Sequence, residues 1–372
     1  MAGNIAKRSD GSWRARYRDE AGHEHSRHFD RKIDAQHWLD EISSSLLNGS
    51  YVDPKAGNIT FREFYEDWAP RQLWVPSTTT NADLATRSVA FADVPLKLVR
   101  RSHIEAWVKT MSTRLAPTTI KTRFVIVRSV FRAAIADRVI VVDPCVGVTL
   151  PRRRKAEATM QIPTMEEVGR LLAHADSNRA STRKGFRAYV AMCAFAGLRK
   201  GEAAGVQVGD IDHVRGLLKV SRQLQREGNT FVTRLPKYGS ERGIFLPVEL
   251  VETLADHIAT YLPNADPEAW LFTVGDRPMS DNDIHWRWRA TRASAKLPHV
   301  RLHDLRHFYA SGLIAAGCDV VTVQRALGHA AATTTLNTYS HLWPTAEDRT
   351  RAAASGLMRQ ALGIAPPTPG SR

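Results

Sequence analysis

The first fifty residues alternate apolar and basic side chains and then change to a helical spacing. In the stretch SWRARYR the apolar residues Trp13, Ala15 and Tyr17 alternate with the basic residues Arg14, Arg16 and Arg18. This period of two predicts a half-buried strand, and the turn DEAG followed by HEHSRHF predicts a second strand. Helical spacing follows at Ala35, Trp38, Leu39 and Ile42. We therefore expect residues 1–52 to form a small β-sheet with one helix.

Two later segments have apolar residues at the spacing of amphipathic helices. The first begins after Thr60 and places at i, i+3, i+4 and i+7 the residues Phe61, Phe64, Tyr65 and Trp68. The second, residues 118–139, has an apolar face and a basic face, the latter with Lys121, Arg123 and Arg128. Between them, SHIE has the sequence of a capping box and predicts a helix start at Ser102. Residues 60–150 are expected to form a helical domain with basic edges.

The remaining sequence mixes helical and strand-like patterns. A second capping box, TMEE at 164–167, predicts the start of another domain. Strand-like runs around 217–220 and 230–235 and the segment IFLP follow, and helical segments with HDLRH and LGHAAATTTLNTYSHL come last. We expect residues 160–345 to be mainly helical with a small antiparallel sheet, in a multidomain α+β protein. In residues 346–372 a helical register is shared by Leu357, Met358, Ala361 and Leu362.

The charge balance narrows the class of partner. The chain has 52 lysine and arginine residues against 38 aspartate and glutamate residues, a net charge of +14. Such an excess, spread along the chain, favours a polyanion, most commonly nucleic acid. The charged segment 151–159, with Arg152, Arg153 and Arg154, could follow a phosphate backbone or be a solvated linker. The arginine row at 14, 16 and 18 leaves the same two alternatives open.

Other compositional features exclude several classes. The three cysteines are too few and too scattered for a disulfide framework or a cysteine-based zinc site. No segment has the apolar length needed to span a bilayer, and the N-terminus lacks the apolar core of a signal peptide. We therefore expect a cytoplasmic, reduced protein without a membrane partner.

Four separated patches between 160 and 345 carry side chains suited to phosphoryl transfer. They contain Arg199, Lys237, His303 with Arg306, and His329 with Tyr339. His303 and Arg306 are three residues apart and share one face if the segment is helical. Phosphoryl transfer of this kind needs cations around the equatorial oxygens and a nucleophile in line with the leaving group. Tyr339 is the one plausible nucleophile of the set.

This set, with the local sequences HDLRHFYAS, LGH and TYSH, resembles the tyrosine recombinases, also called phage-type integrases. The resemblance covers nearly the whole chain. It implies an arm-type DNA-binding domain at 1–52, a helical core-binding domain at 60–150 and a catalytic domain at 160–345. The implied function is a site-specific DNA recombinase that integrates or excises a phage or other mobile element. One departure from the family is Tyr238, where a small hydroxyl residue often follows the lysine.

The resemblance also implies a role for each residue. Tyr339 attacks a phosphodiester and forms a 3′-phosphotyrosyl link, while Arg199 and Arg306 hold the non-bridging oxygens. Lys237 protonates the leaving 5′ oxygen, His303 accepts the proton of the tyrosine, and His329 donates to a phosphate oxygen. Because the covalent link conserves the bond energy and protein cations take the place of a metal, neither ATP, a metal nor another cofactor is expected.

The implied partners are double-stranded DNA attachment sites, a homotetramer on paired sites, and an excisionase or DNA-bending accessory protein. The tail at 346–372 would dock on a neighbouring subunit, with packing on its own domain as the alternative. Two other functions remain open: a type IB-like topoisomerase and a DNA-binding regulator whose catalytic residues are unused.

Two residues near this set, His307 and Glu202, leave alternatives open. His303 and His307 have the spacing of a zinc pair, but no glutamate follows the first histidine. His307 is therefore interpreted as a packed helix residue. Glu202 could form an ion pair with Arg199 or could be a solvated helix charge.

Overall fold

The chain divides into two compact units, Met1–Thr159 and Met160–Arg372. The computed structural model describes residues 3–19, 22–48, 51–152, 160–176, 185–227, 230–236, 239–343 and 346–363. Within those ranges no helix is both long enough and apolar enough to cross a membrane. Helices and small antiparallel sheets make up both units, so the multidomain α+β prediction is confirmed.

The first unit begins with a three-stranded antiparallel sheet and a helix. Its elements are β1 (Asn4–Lys7), β2 (Trp13–Arg18), β3 (Glu24–Phe29) and α1 (Lys32–Leu47). β2 is the central strand, and its register pairs Trp13 with Phe29 and Arg18 with Glu24. A buried cluster joins the sheet to the helix through Ala15, Tyr17, Ala35 and Leu39. The alternation predicted for β2 is confirmed, whereas β1 was not predicted.

Four helices with a second buried cluster follow in this unit. They are α2 (Phe61–Trp68), α3 (Pro76–Thr86), α4 (Arg101–Ser112) and α5 (Pro117–Ala136). Phe61 lies 5.4 Å from Phe91 and 5.3 Å from Phe131, measured between ring centroids. The capping box predicted at Ser102 is wrong, because α4 begins before it. His103 Nδ1 accepts a hydrogen bond from the backbone N–H of Arg100 at 3.0 Å, which starts the helix earlier.

The second unit contains nine helices and seven strands within its described residues. The helices are α6 (Met165–His174), α7 (Phe186–Phe195), α8 (Lys200–Ala204), α9 (Val248–Tyr261), α10 (Asp281–Ser294), α11 (Asp304–Ala315), α12 (Val320–Leu327), α13 (Ala332–Tyr339) and α14 (Ala346–Ala361). The strands are β4 (Ile211–Asp212), β5 (Leu217–Val220), β6 (Gln223–Glu227), β7 (Thr230–Arg234), β8 (Arg242–Phe245), β9 (Thr273–Val274) and β10 (Arg277–Pro278). β4, β5 and β8 form one antiparallel sheet in that order, while β6–β7 and β9–β10 are separate hairpins.

Helix α7 is the centre of this unit. Eight of its ten residues are buried, as is typical of a helix surrounded by other elements. It packs against α6, α8, α9 and α11. The capping box predicted at Thr164 is confirmed, since the Thr164 side chain accepts from the backbone N–H of Glu167 at 3.2 Å. A smaller cluster holds α11, α12 and α13 together through Ala310, Ile314, Val323, Leu327 and Tyr339.

The last helix, α14, leaves large apolar side chains in solvent. Leu357, Met358 and Leu362 are all exposed, by 60% or more of their surface. The predicted helical register is thus present in the structure, and docking of this segment on a neighbouring subunit stays a prediction.

Candidate active site

Three arginines from distant parts of the second unit meet at the C-terminal end of α12. Arg242, Arg306 and Arg199 donate, in that order, to the backbone carbonyls of residues 326, 327 and 328. The Arg242 Nε bond is 3.0 Å long and the Arg199 Nη2 bond 3.2 Å. The last carbonyls of a helix have no partner inside it and carry the negative end of the helix dipole. The end of α12 therefore holds three like charges in one place.

Two glycines make this arrangement possible. Gly197 has a φ of 61° and Gly328 a φ of 62°, in the left-handed region that favours glycine. The carbonyl of Gly197 accepts from Arg306 Nη1 at 2.6 Å. A Cβ on Gly197 would lie 2.4 Å from a ring carbon of Tyr309, and one on Gly328 would lie 2.8 Å from Arg242 Nη1. Any larger residue at either position would displace an arginine or the ring.

The carboxylate of Glu202 balances two of the three cations. Its side chain is buried and accepts from Arg199 Nη1 at 2.6 Å and from Arg242 Nη2 at 2.8 Å. Burial alone would raise the pKa of Glu202, but the hydrogen bond and charge of Arg242, together with Arg199, lower it to about 2. Of the two alternatives for Glu202, the ion pair is confirmed.

Arg306 is the most enclosed of the arginines. Its side chain is 2% exposed, and its two terminal nitrogens donate to the carbonyls of Gly197 and Leu327. Burial, helped by the charge of Arg199, lowers the pKa of Arg306 to about 9. At neutral pH the guanidinium is therefore still charged.

The buried hydroxyl of Tyr339 pairs with a half-buried histidine. Tyr339 is the last residue of α13 and is 1% exposed. Its Oη lies 2.7 Å from Nδ1 of His307 on α11. Burial raises the pKa of Tyr339 to about 12, although the charges of Arg306 and Arg199 act in the opposite direction. The phenol is thus protonated at neutral pH and lies within the field of the two arginines.

The two other predicted histidines lie next to the arginines. His329 follows Gly328 directly, and its Nδ1 lies 2.9 Å from the Thr335 hydroxyl. Burial, followed by the charge of Arg306, lowers the pKa of His329 to about 4 and also lowers that of His303. The His329 imidazole is therefore neutral near pH 7, while His303, although its ring is exposed, has a pKa below that of a free imidazole.

The structure brings together five of the six residues predicted for the site: Arg199, His303, Arg306, His329 and Tyr339. Lys237 lies outside the described residues, in the connection between β7 and β8. The hairpin before it is described, and Gln223 Nε2 donates to the carbonyl of Leu235 at 2.8 Å.

The residues predicted to contact DNA have different surroundings. Arg14, Arg16 and Arg18 on β2 surround one carboxylate, that of Glu24, at 3.6, 3.6 and 4.0 Å. On α5, Arg128 forms an ion pair with Asp143 at 2.9 Å. Lys121 and Arg152 are exposed and Arg123 is half-buried. Arg153 and Arg154 lie outside the described residues.

Two residues of the site were not predicted from the sequence: Arg242 was missed, and His307 was interpreted as a packed helix residue. Arg242 shares its strand face with Ile244, which is buried. An arginine two residues from a buried strand position, on the same face, could therefore have indicated a buried functional arginine. His307 is three residues before Ala310 and seven before Ile314, both buried, so it lies on the apolar face of α11. A polar group on such a face usually has a specific partner.

Within the described ranges, one group has the composition of a metal site. Ligand atoms of Asp19, His25 and Asp53 lie within 4.8 Å of one another in the first unit. The Asp19 carboxylate already accepts from His25 Nε2 and from the backbone N–H of His23, each at 2.8 Å. Hydrogen bonding accounts for this geometry, and we assign no ion to it.

Comparisons with known proteins agree with the fold and with the family resemblance. Residues 163–345 match the Phage integrase family. The chain is 26% identical to the prophage phiRv2 integrase of Mycobacterium tuberculosis, over 96% of both chains. It is 25% identical to the integrase of Mycobacterium phage D29, over 82% of both.

Two solved structures share the fold. One is the Tn1549 transposon integrase in complex with transposon right end DNA, with a TM-score of 0.67 and 21% identity over 81% of this chain and all of that one. The other is a lambda integrase dimer bound to a COC' core site, with a TM-score of 0.57 and 18% identity over 91% and 94%. Residues 163–345 therefore form a catalytic domain of the phage integrase family, the tyrosine recombinases.

Proposed function

We propose that this tyrosine-type site-specific recombinase cuts and rejoins DNA through a covalent bond between Tyr339 and a 3′ phosphate. The product is integration or excision of a phage or other mobile element. The observation that carries the proposal is the buried phenol of Tyr339 within the field of Arg199 and Arg306. Family membership and the integrase relatives from phages support the same reaction.

The two arginines are proposed to bind the non-bridging oxygens of the scissile phosphate. A guanidinium has five N–H donors, and the backbone carbonyls described above engage only part of them. Cations held in place before the reaction stabilise the charge of a pentavalent transition state without reorganising. Glu202 and Arg242 contribute indirectly, because they fix the position of Arg199.

The proton transfers are assigned to the remaining residues of the set. Lys237 is proposed to protonate the leaving 5′ oxygen, and His329 to donate to a phosphate oxygen. Two histidines, His303 directly before α11 and His307 within it, compete for the proton of Tyr339, and the family resemblance implies His303. The phosphotyrosyl bond conserves the energy of the broken phosphodiester, so rejoining is proposed to need no ATP.

We extend the proposal to the other parts of the chain. Residues 1–52 would bind arm-type DNA sites through the arginine row on β2, and residues 60–150 would bind the core site. The basic residues of α5 and of the charged segment 151–159 would follow the phosphate backbone. They are Lys121, Arg123, Arg128, Arg152, Arg153 and Arg154.

The same proposal covers assembly. The exposed apolar residues of α14 would dock on a second copy of this chain. A lambda integrase tetramer bound to a Holliday junction has a similar fold, with a TM-score of 0.57, and supports a tetramer on paired sites. An excisionase or DNA-bending protein would assist, in the cytoplasm of a bacterial cell.

The test is to trap DNA on the protein. Fragmented DNA of the source element and its host is incubated with the chain, denatured, and sequenced where it stays covalently bound. Tyr339→Phe should bind DNA normally and trap none, because only the phenolic oxygen can attack. Tyr261→Phe, at the exposed C-terminal end of α9, is the matched control and should trap as much as the native chain. Trapping by Tyr339→Phe would overturn the proposal, and relaxation of supercoils without strand exchange would favour the topoisomerase.

A further inference from the structure

The nearest imidazole to the nucleophile is not the one that the family resemblance implies. His307 Nδ1 lies at hydrogen-bond distance from Tyr339 Oη, 2.7 Å away. His303 is the residue directly before α11, one turn before His307, and its ring lies edge-on to that of His307 at 4.8 Å between centroids. The described contacts of Tyr339 Oη include His307 and do not include His303. A proton acceptor must be within hydrogen-bond reach of the proton that it takes.

The surroundings keep His307 able to accept a proton. Burial, followed by the neighbouring His303, lowers the pKa of His307 to about 4, and Arg301 and Arg306 act in the same direction. The carboxylate of Asp304 opposes them. On the other side of the pair, Arg306 and Arg199 face the phenol of Tyr339. The imidazole is therefore uncharged at neutral pH and carries a free lone pair on one nitrogen.

We infer that His307 is the catalytic residue that takes the proton of Tyr339 during attack on DNA. This inference rests on the proposed function. With the Nε2–H tautomer, the lone pair on Nδ1 receives the phenolic proton while the oxygen forms its bond to phosphorus. The phosphorus–O5′ bond breaks, and the 5′ oxygen takes a proton from the general acid. One proton enters at His307 and one leaves at the acid, so the step is balanced.

A base is needed because of the environment of the phenol. With a pKa of about 12, only about one Tyr339 in 10⁵ is ionised at pH 7, since each pKa unit is a factor of ten. Under this inference His303 contacts the proton acceptor and lies within the field of Arg306 and Arg199, but it does not take the proton itself.

The first experiment compares two matched variants, His307→Asn and His303→Asn. The asparagine amide oxygen takes the place of Nδ1 and keeps a hydrogen bond to Tyr339, but it cannot take up a proton. Single-turnover cleavage is measured on a nicked duplex of the trapped sequence. His307→Asn should cleave roughly 10²- to 10⁴-fold more slowly at pH 7, the usual loss for a general base. Thermal melting of both variants shows whether each one is folded.

The pH profile separates a catalytic role from a structural one. The native chain should have a level rate from pH 5.5 to 8, because His307 is already neutral there. The rate of His307→Asn should rise about tenfold per pH unit, since attack then depends on the ionised phenol. His303→Asn should change the size of the rate without changing the shape of the profile. A level profile for His307→Asn, or a rising profile for His303→Asn, would overturn the inference.

A fluorinated tyrosine at position 339 adds an independent measurement. Fluorine lowers the pKa of the phenol, so it should rescue His307→Asn by at least tenfold and change the native chain little. Equal effects in both proteins would overturn the inference. If the native chain forms no adduct at Tyr339 at all, the proposed function fails; if it does and the profiles coincide, only the assignment to His307 fails.

Discussion

Two sets of three arginines in this chain have opposite surroundings. Arg199, Arg242 and Arg306 lie at the end of α12, where backbone carbonyls and one buried carboxylate hold them. Arg14, Arg16 and Arg18 lie along β2, where the half-exposed Glu24 is their shared partner at 3.6 to 4.0 Å. The first set has fixed positions and restricted access. The second is more open to solvent, with side chains 38–71% exposed and a single shared carboxylate as ion-pair partner.

The difference teaches how one residue type serves two purposes. A buried cation loses its hydration and must gain fixed partners, and such partners set its position. An exposed cation keeps its hydration, and an ion pair there is worth about 0–1 kcal/mol. The first set suits a reaction in which geometry matters, whereas the second suits sequence-independent attraction to phosphates.

The largest expected effect comes from removing a buried partner. Arg242→Ala leaves the buried carboxylate of Glu202 with less compensation and should destabilise the second unit by about 3–5 kcal/mol. Urea unfolding followed by circular dichroism measures it. The matched control in the exposed row is Arg18→Ala, which should cost less than about 0.5 kcal/mol. Equal losses for the two variants would contradict the comparison.

The second prediction uses pH. The pKa of His307 and that of His329 are lowered to about 4 by burial, followed by His303 and Arg306 respectively. Unfolding restores the ordinary value of 6.5, so the unfolded chain binds more protons between pH 6.5 and 4. The stability of the second unit is therefore full above pH 6.5 and should fall as the pH drops towards 4. Urea unfolding at pH 7.5, 5.5 and 4.5 measures the slope, which should be weaker in His329→Gln; an unchanged slope there would exclude His329 as a source.

The third prediction concerns the exposed row. Replacing Arg14, Arg16 and Arg18 by glutamine should weaken binding to a long duplex and reduce its dependence on salt. The slope of log K against log salt should fall by up to about 0.9 for each arginine that contacts a phosphate. Fluorescence anisotropy at several salt concentrations measures it. A short duplex limited to the cleavage region is the control, and equal slopes on the long duplex would show that the row makes no phosphate contact.

The smallest expected effect comes from the shared carboxylate. Glu24→Gln releases the three arginines from their common partner and should tighten binding to the long duplex. The gain should be on the order of two- to fivefold, because an exposed ion pair is worth about 0.2–1 kcal/mol. The same anisotropy titration measures it, with Glu241→Gln, in the segment before β8, as a carboxylate control. Weaker binding by Glu24→Gln would mean that Glu24 positions the row instead of competing with DNA.

Periodicity predicted much of the fold because it reports which face is buried. The alternation at Trp13, Ala15 and Tyr17 matched β2, and the capping box at Thr164 matched the start of α6. The capping box at Ser102 failed because a competing contact from His103 begins the helix earlier. Local sequence does not decide between two caps of similar strength.

The site was only partly predictable, for a physical reason. Arg199 and Tyr339 were found from chemistry and local context. Arg242 reaches Glu202 across 40 positions of sequence, and His307 reaches Tyr339 across 32. Such pairings depend on how helices and strands pack, which no spacing rule encodes.

The tight surroundings of Gly197 limit how this enzyme can be re-engineered to recognise new DNA sequences. Its carbonyl holds Arg306 and its missing Cβ leaves room for the ring of Tyr309. A library that randomises the neighbourhood of the nucleophile would lose nearly every clone altered at this position, whatever DNA was used for selection. Useful diversity has to enter through the first unit and the surface of the second, where side chains can change without moving the reacting groups. Directed evolution should therefore keep Gly197 fixed and vary positions whose side chains do not touch the reacting groups.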